Sequence, residues 1–281
     1  MESTIRSVLM GMLVVLAVYL AAPAPLPAAG DGIVQGQAVL TVAESKRLIG
    51  KGVAQMPIVK NALANGLVII VKGTTNLYVA EEITGRKIEH ARFARGRVEP
   101  QKGGKHLPPV EALPDVVIEK GKEINILLTE AVKRLKPGDV VMKGANALDY
   151  NNKMAGVYIG DPAGGTTGIT LPYVVARKAY FVIPIGLEKL VAGNVADISR
   201  KMREPIETLN GLQSMFLLTG EIVTEIEALK ILTGVTAFQA GGGGIGGAEG
   251  GVWLVFRGTR EQVQKTLDLI QSIQGEPPFI E

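Results

Sequence analysis

Five short apolar runs constrain the fold of this chain more than any other feature: Leu67–Val71, Val116–Ile118, Val140–Met142, Gly156–Ile159 and Tyr180–Ile185. A strand with one wet face alternates apolar and polar residues, whereas a strand apolar throughout must be covered on both faces. Helix-like stretches lie between the runs. Thr41–Leu63 opens with Thr41 as cap and Glu44 three residues on, the capping-box spacing, and Gly50 and Gly52 predict its division into two short helices. Asn125–Leu135 ends at Pro137-Gly138, and Leu171–Ala176 reads as a further helix. Strands alternating with helices predict an α/β fold, a three-layer, mainly parallel sheet domain over residues 36–205.

Beyond residue 205 the rhythm changes. Met202–Leu217 reads as a connection. It leads to a helix at Thr224–Thr233, a strand at Val235–Gln239, a glycine-rich loop at Gly241–Gly251, a strand ending at Phe256, and a helix at Arg260–Ile273 with Val263, Leu267, Ile270 and Ile273 on one face. This predicts a smaller C-terminal α+β lobe over residues 206–281, with Trp253 in its core. The glycine-rich loop carries Glu249 where a dinucleotide fingerprint needs its last glycine, and two strands flank it. It reads as a mobile loop over a pocket or as a long hairpin connection.

The 281 residues carry a net charge of +3, too small a basic excess to argue for a nucleic-acid partner. The excess is local: Arg86, Lys87, Arg92, Arg95, Arg97, Lys102 and Lys105 crowd one stretch, either a solvated loop or a rim that attracts an anion. With no cysteine there is no disulfide, no thiolate catalysis and no Cys-ligated metal. His90 and His106 have no third partner at metal-ligand spacing, and no motif calls for a cofactor. At the N-terminus Arg6 precedes an uncharged apolar run, Val8–Ala22, and then Pro- and Ala-rich residues up to Ala29. Residues 1–29 read as a signal peptide, which implies export; as an uncleaved anchor in contact with a membrane; or as a segment ahead of a true start near Ala38, which implies a cytoplasmic protein.

Two loops hold the chemistry. Lys72-Gly73-Thr74-Thr75-Asn76 follows the first apolar run and opens a helix-like stretch, and Gly164-Gly165-Thr166-Thr167-Gly168 follows Gly156–Ile159. A small hydroxyl-bearing loop between strand and helix aims backbone N–H groups and the helix dipole at an anion. Gly73, Thr74, Thr75, Asn76, Gly165, Thr166 and Thr167 are therefore candidate anion ligands; the plainer reading is that Thr and Asn cap the helices. Neither loop closes with Gly-Lys-Ser/Thr, which argues against ATP hydrolysis. Between them Lys143, Asn146, Asp149 and Lys153 gather at a strand's C-terminal end, where open α/β sheets bind ligands. Asp149 and Lys153 are candidates for acid–base chemistry or a salt bridge. Glu188, after the last apolar run, is a candidate base or nucleophile, or a helix-start carboxylate.

The stretch 143–160 resembles the Asp-Gly-Ala-Asp-Glu-(Ile/Val)-Asp segment of sugar-phosphate isomerases and the Gly-Ala-Asp-Arg-Ile…Asn-Lys-Ile-Gly-Thr segment of the methylthioribose-1-phosphate isomerase group. Both belong to the superfamily of ribose-5-phosphate isomerase, glucosamine-6-phosphate deaminase and the coenzyme A transferases. Gly73-Thr74-Thr75-Asn76 is similar to the first phosphate loop of that superfamily, Gly-(Thr/Ser)-Gly-Ser-Thr. The likeness spans residues 60–195 through short, glycine-heavy motifs. This chain departs from it at Lys143 and Asn146, where the family has Asp; Asp149 keeps its carboxylate. The resemblance implies a small anionic, phosphorylated ligand and isomerase- or transferase-like activity, with the usual proton shuttle put in doubt by the two missing carboxylates. The alternative is a non-catalytic exported ligand-binding or assembly protein.

Overall fold

A computed structural model of the chain describes residues 32–104 and 106–280. The N-terminal segment 1–29 and Lys105 lie outside the described residues. No helix among the described residues is long and apolar enough to cross a membrane.

The first strand, β1 (Ile33–Leu40), leads into α1 (Val42–Gln55) and α2 (Pro57–Asn65). Thr41 and Glu44 form the capping box that starts α1. The division into two helices is present, but it falls at Met56-Pro57, where the Pro ring cannot continue the hydrogen-bond ladder. Gly50 and Gly52 lie inside α1 and mark close approaches instead. A Cβ at Gly50 would sit 2.9 Å from the Tyr78 backbone, and one at Gly52 would sit 2.7 Å from Cα of Ala228. In an open helix Gly→Ala stabilises by up to ~1 kcal/mol; here Gly52→Ala is expected to cost about 1–3 kcal/mol through overpacking. Urea unfolding of the variant decides it, and a stabilised variant would mean that the contact yields.

Then come β2 (Leu67–Ile70), α3 (Thr74–Thr84), a short α4 (His90–Phe93), β3 (Val116–Glu119), β4 (Lys122–Glu123) and α5 (Leu128–Ala131), the last extended by a 3-10 turn to Arg134. After β5 (Val140–Met142) the chain forms β6 (Ala147–Asp149), β7 (Met154–Ile159), α6 (Gly165–Arg177) and β8 (Tyr180–Pro184). A 3-10 turn at Leu187–Lys189 precedes α7 (Val195–Lys201), β9 (Ser214–Thr219), β10 (Glu221–Val223), α8 (Glu225–Thr233), β11 (Thr236–Gly243), β12 (Gly251–Thr259) and α9 (Arg260–Ile273).

The central sheet has the order β10-β8-β5-β2-β3-β4. Neighbours β10, β8, β5 and β2 pair parallel, β3 pairs antiparallel with β2, and β4 pairs antiparallel with β3, so the sheet is mixed. Its strands are apolar on both faces because both are covered. Val68, Ile70, Val140, Met142 and Val182 point into a core shared with Ile49, Val59 and Leu77 of α1–α3. Ile69, Val141, Phe181 and Ile183 point the other way, onto Leu128 and Ala131 of α5 and Val174 of α6. The protein is α/β, with helices on both faces of this sheet.

Two antiparallel three-stranded sheets complete the fold, β1-β12-β11 and β6-β7-β9. Residues 206–281 therefore do not stand apart as a lobe. They supply strands to all three sheets, and Ile33 to Glu281 forms one compact unit. The glycine-rich segment is the connection of the β11–β12 hairpin. Trp253 is a correction: β12 sends Val252, Leu254 and Phe256 inward, so alternation puts Trp253 on the outer face, 44% exposed, with its Nε1 donating to Gln37 Oε1 at 3.1 Å.

Candidate functional site

The ends of β2 and β5 set the site. β2 runs out through Val71-Lys72 into Gly73 and α3; β5 runs out into Lys143, whose backbone N–H donates to Val182 O on β8 at 3.0 Å. The end of β7 brings the second Gly-Thr-Thr loop beside them. Lys72, Thr74, Thr75, Lys143, Gly165, Thr166 and Thr167 are thereby brought together as the wall of one cavity of about 410 Å³, joined by Arg95, Asn146, Tyr158, Asp161 and Lys189.

Both helices that face this cavity, α3 and α6, have glycine as N-cap, Gly73 and Gly164, so neither has a capping side chain there. The first-turn N–H groups of a helix carry a partial positive charge and need acceptors. At α6 Asp161 Oδ1 takes the N–H of Gly165 at 3.2 Å, and Gly164 holds the positive φ (+81°) that turns the chain into the helix. The threonines do not act as caps. Thr75 Oγ1 is buried and has no hydrogen-bond partner among the described residues. Thr166 Oγ1 accepts from the Lys143 ammonium at 3.0 Å.

Lys143 is the centre of the electrostatics. Its side chain is 8% exposed, and no carboxylate among the described residues lies within ion-pair distance. Burial pushes its pKa down to about 8; Asp115 pulls it up and Arg95 presses it further down. Asp115 itself is engaged by Lys72, through the side chain at 3.1 Å and the backbone N–H at 2.8 Å. The cavity thus presents a buried ammonium outside ion-pair distance of any described carboxylate, a spare hydroxyl and two helix N-termini.

Other sequence candidates are placed elsewhere. Asn76 is fully buried, and its amide N donates to Val71 O at 2.7 Å and Met142 O at 3.1 Å, tying β2 to β5 in place of facing a ligand. Gly73 is extended (φ 170°) and does not line the cavity. Asn146 lines it, but its side chain is spent on backbone, donating to Gly96 O at 3.0 Å and accepting from Tyr158 N at 3.1 Å. Asp149 is carried away by β6 and lines a separate depression with Tyr150 and Asn194. It accepts from the Asn152 side chain (2.9 Å) and N–H (3.1 Å) and from Val195 N–H (3.4 Å), and the Asn152 side-chain bond leads in holding its carboxyl below the usual range. Lys153 pairs with Glu227 at 3.0 Å and sits over the Tyr150 ring. Glu188 does not line the cavity; its carboxylate is folded against Gly186, one oxygen sealed from solvent and without a partner among the described residues.

The basic stretch divides. Arg86, Lys87 and Arg92 pair with Glu123, Glu81 and Glu89, whereas Arg95 stands at the rim of the cavity. Arg95 comes from the stretch that the sequence offers as a loop or a rim, whereas Tyr158 and Lys189 are wall residues that it does not single out. The basic cluster is the signal for Arg95; Tyr158 and Lys189 carry none. A second cavity of about 320 Å³ shares Thr74, Gly96, Asn146 and Lys189 with the first.

Comparison with known proteins finds no family model that matches the chain, and no curated protein or solved structure that matches it significantly.

Proposed function

We propose that the protein binds a small anionic, phosphorylated ligand at the C-terminal end of β2 and β5. The observation that carries this reading is Lys143, a buried ammonium beside two helix N-termini with no carboxylate among the described residues within ion-pair distance. Such a charge is costly unless an anion completes it. The resemblance of residues 60–195 to sugar-phosphate isomerases supports a phosphorylated ligand. If the ligand is turned over, Lys143 is the group on the wall suited to proton transfer near neutrality.

One observation favours a second reading, a binding or assembly protein without turnover: among the described residues the first cavity has a single carboxylate on its wall, Asp161, and its Oδ1 is engaged by the N–H groups of Ala163 and Gly165. Incubating the protein with a panel of sugar phosphates and following them by phosphorus NMR separates the two, since only an enzyme produces new resonances.

Thr75→Val tests the binding site. The change is close to isosteric and removes a hydroxyl that has no partner, so the unliganded protein should keep its melting temperature or gain slightly. A hydrogen bond to a charged ligand is worth about 1.5–3 kcal/mol, so phosphate affinity by calorimetry should fall roughly 10- to 100-fold. Unchanged affinity would remove Thr75 from the site.

A further inference from the structure

The second cavity contains a buried cation that phosphate binding in the first leaves unexplained. Lys46, on α1, is 8% exposed, lines this cavity, and makes no hydrogen bond or ion pair with any described residue. Its Nζ stands 5.5 Å from the Phe279 ring centroid. Burial lowers its pKa to about 8; Lys189 lowers it further and Glu188 opposes. The acids nearby do not satisfy it. Glu188 is turned onto Gly186 and lies outside ion-pair distance. Glu99, on the same wall, is engaged by Arg97 and by His106. Lys189 belongs to both cavities, and its Nζ donates to Ala145 O at 2.9 Å. Besides the two lysines the wall holds Arg97 and Glu99, paired with each other, and an apolar side formed by Val98, Leu107, Phe279 and Ile280.

Resting on the phosphate reading above, we infer that the ligand is two-headed: a small organic phosphate with a second anionic group at its far end, the phosphate at Lys143 and the second group at Lys46 and Lys189. The cavities adjoin, sharing Thr74, Gly96, Asn146 and Lys189 in their walls, and the connecting part of the ligand would cross there. The apolar side suits a hydrocarbon or lightly hydroxylated connector, and the two ammonium groups, each a point charge, suit a carboxylate or a second phosphate.

The test uses ω-phosphonocarboxylates with two to five methylenes, alkylphosphonates of equal length as controls, and the matching bisphosphonates, titrated calorimetrically into the full chain at neutral pH. At least one phosphonocarboxylate or bisphosphonate should bind ten times more tightly than its alkyl control, and which class gains more names the second group. In Lys46→Met that advantage should collapse to within twofold, while the alkylphosphonate keeps its wild-type affinity. Lys46→Gln is measured in parallel, so that any disturbance of packing on Phe279 is separated from loss of charge. An advantage that is missing in the wild type, or that survives both variants, overturns the inference while alkylphosphonate binding leaves the phosphate reading standing. Failure of every phosphonate and of inorganic phosphate overturns both.

Discussion

Lys143→Met is expected to raise the melting temperature of the unliganded protein and to cut its affinity for phosphate roughly 30-fold or more. The two effects have one origin. A lysine held at about 8 in the folded state, against an ordinary value of 10.5, destabilises that state by roughly 3 kcal/mol wherever both states carry the charge. The folded value lies below the unfolded one, so the penalty is complete below pH 8, shrinks between 8 and 10.5, and is gone above. Wild-type stability should therefore climb relative to the variant across that window, which denaturant titrations at pH 7, 9 and 10.5 would show. Methionine keeps the length of the side chain and removes the charge. Loss of a charge-assisted bond to a phosphate oxygen accounts for about 2 kcal/mol of binding or more. A destabilised variant, or one that binds phosphate like the wild type, would mean that Lys143 is structural.

Arg47→Met should have the largest effect on stability, a loss of about 3–5 kcal/mol, as expected when one partner of a buried ion pair is removed. Arg47 bonds Glu81 at 2.6 Å, Glu82 at 3.0 Å and Glu276 at 2.7 Å, with its guanidinium 4.7 Å from the Tyr78 ring centroid. Without it the buried Glu81 carboxylate keeps only the Ile88 N–H at 2.9 Å and a distant Lys87. Burial raises the pKa of Glu81, but the bonds from Ile88 and Arg47 outweigh it and hold the carboxyl below its usual range. Stability from a lowered carboxylate is present above its unfolded pKa and is lost as pH falls through the folded value. The gap between wild type and variant should narrow in acid. Chemical unfolding at pH 7 and pH 3 measures it, and a gap that stays constant would locate the effect in packing on Tyr78.

How much of this is legible in the sequence depends on whether a residue's role is local. Strands β2, β3, β5 and β8 are legible because burial on both faces leaves them apolar throughout. The antiparallel course of β3 is not, since pairing direction follows from connections that no single run encodes. The partner of β1 is invisible as well: Val39 opposes Trp253, nearly the whole chain away. Lys143 stands out as a cation directly after an apolar strand. Asp149 looks like its neighbour at six residues' distance, yet β6 runs antiparallel to β7 between them and carries the carboxylate off to Asn152 and Val195. Asn76 misleads for a different reason: a buried amide that braces two strand ends has the same sequence signature as an anion ligand.

Phe279 and Ile280 wall the second cavity at the very end of the chain, and Phe279 stacks on the His90 ring at 4.7 Å while its carbonyl lies 3.2 Å from His90 Nδ1. The stacked imidazole thus pins this wall of the second cavity to α4, so the shape of the cavity depends on two rings 189 residues apart in the chain.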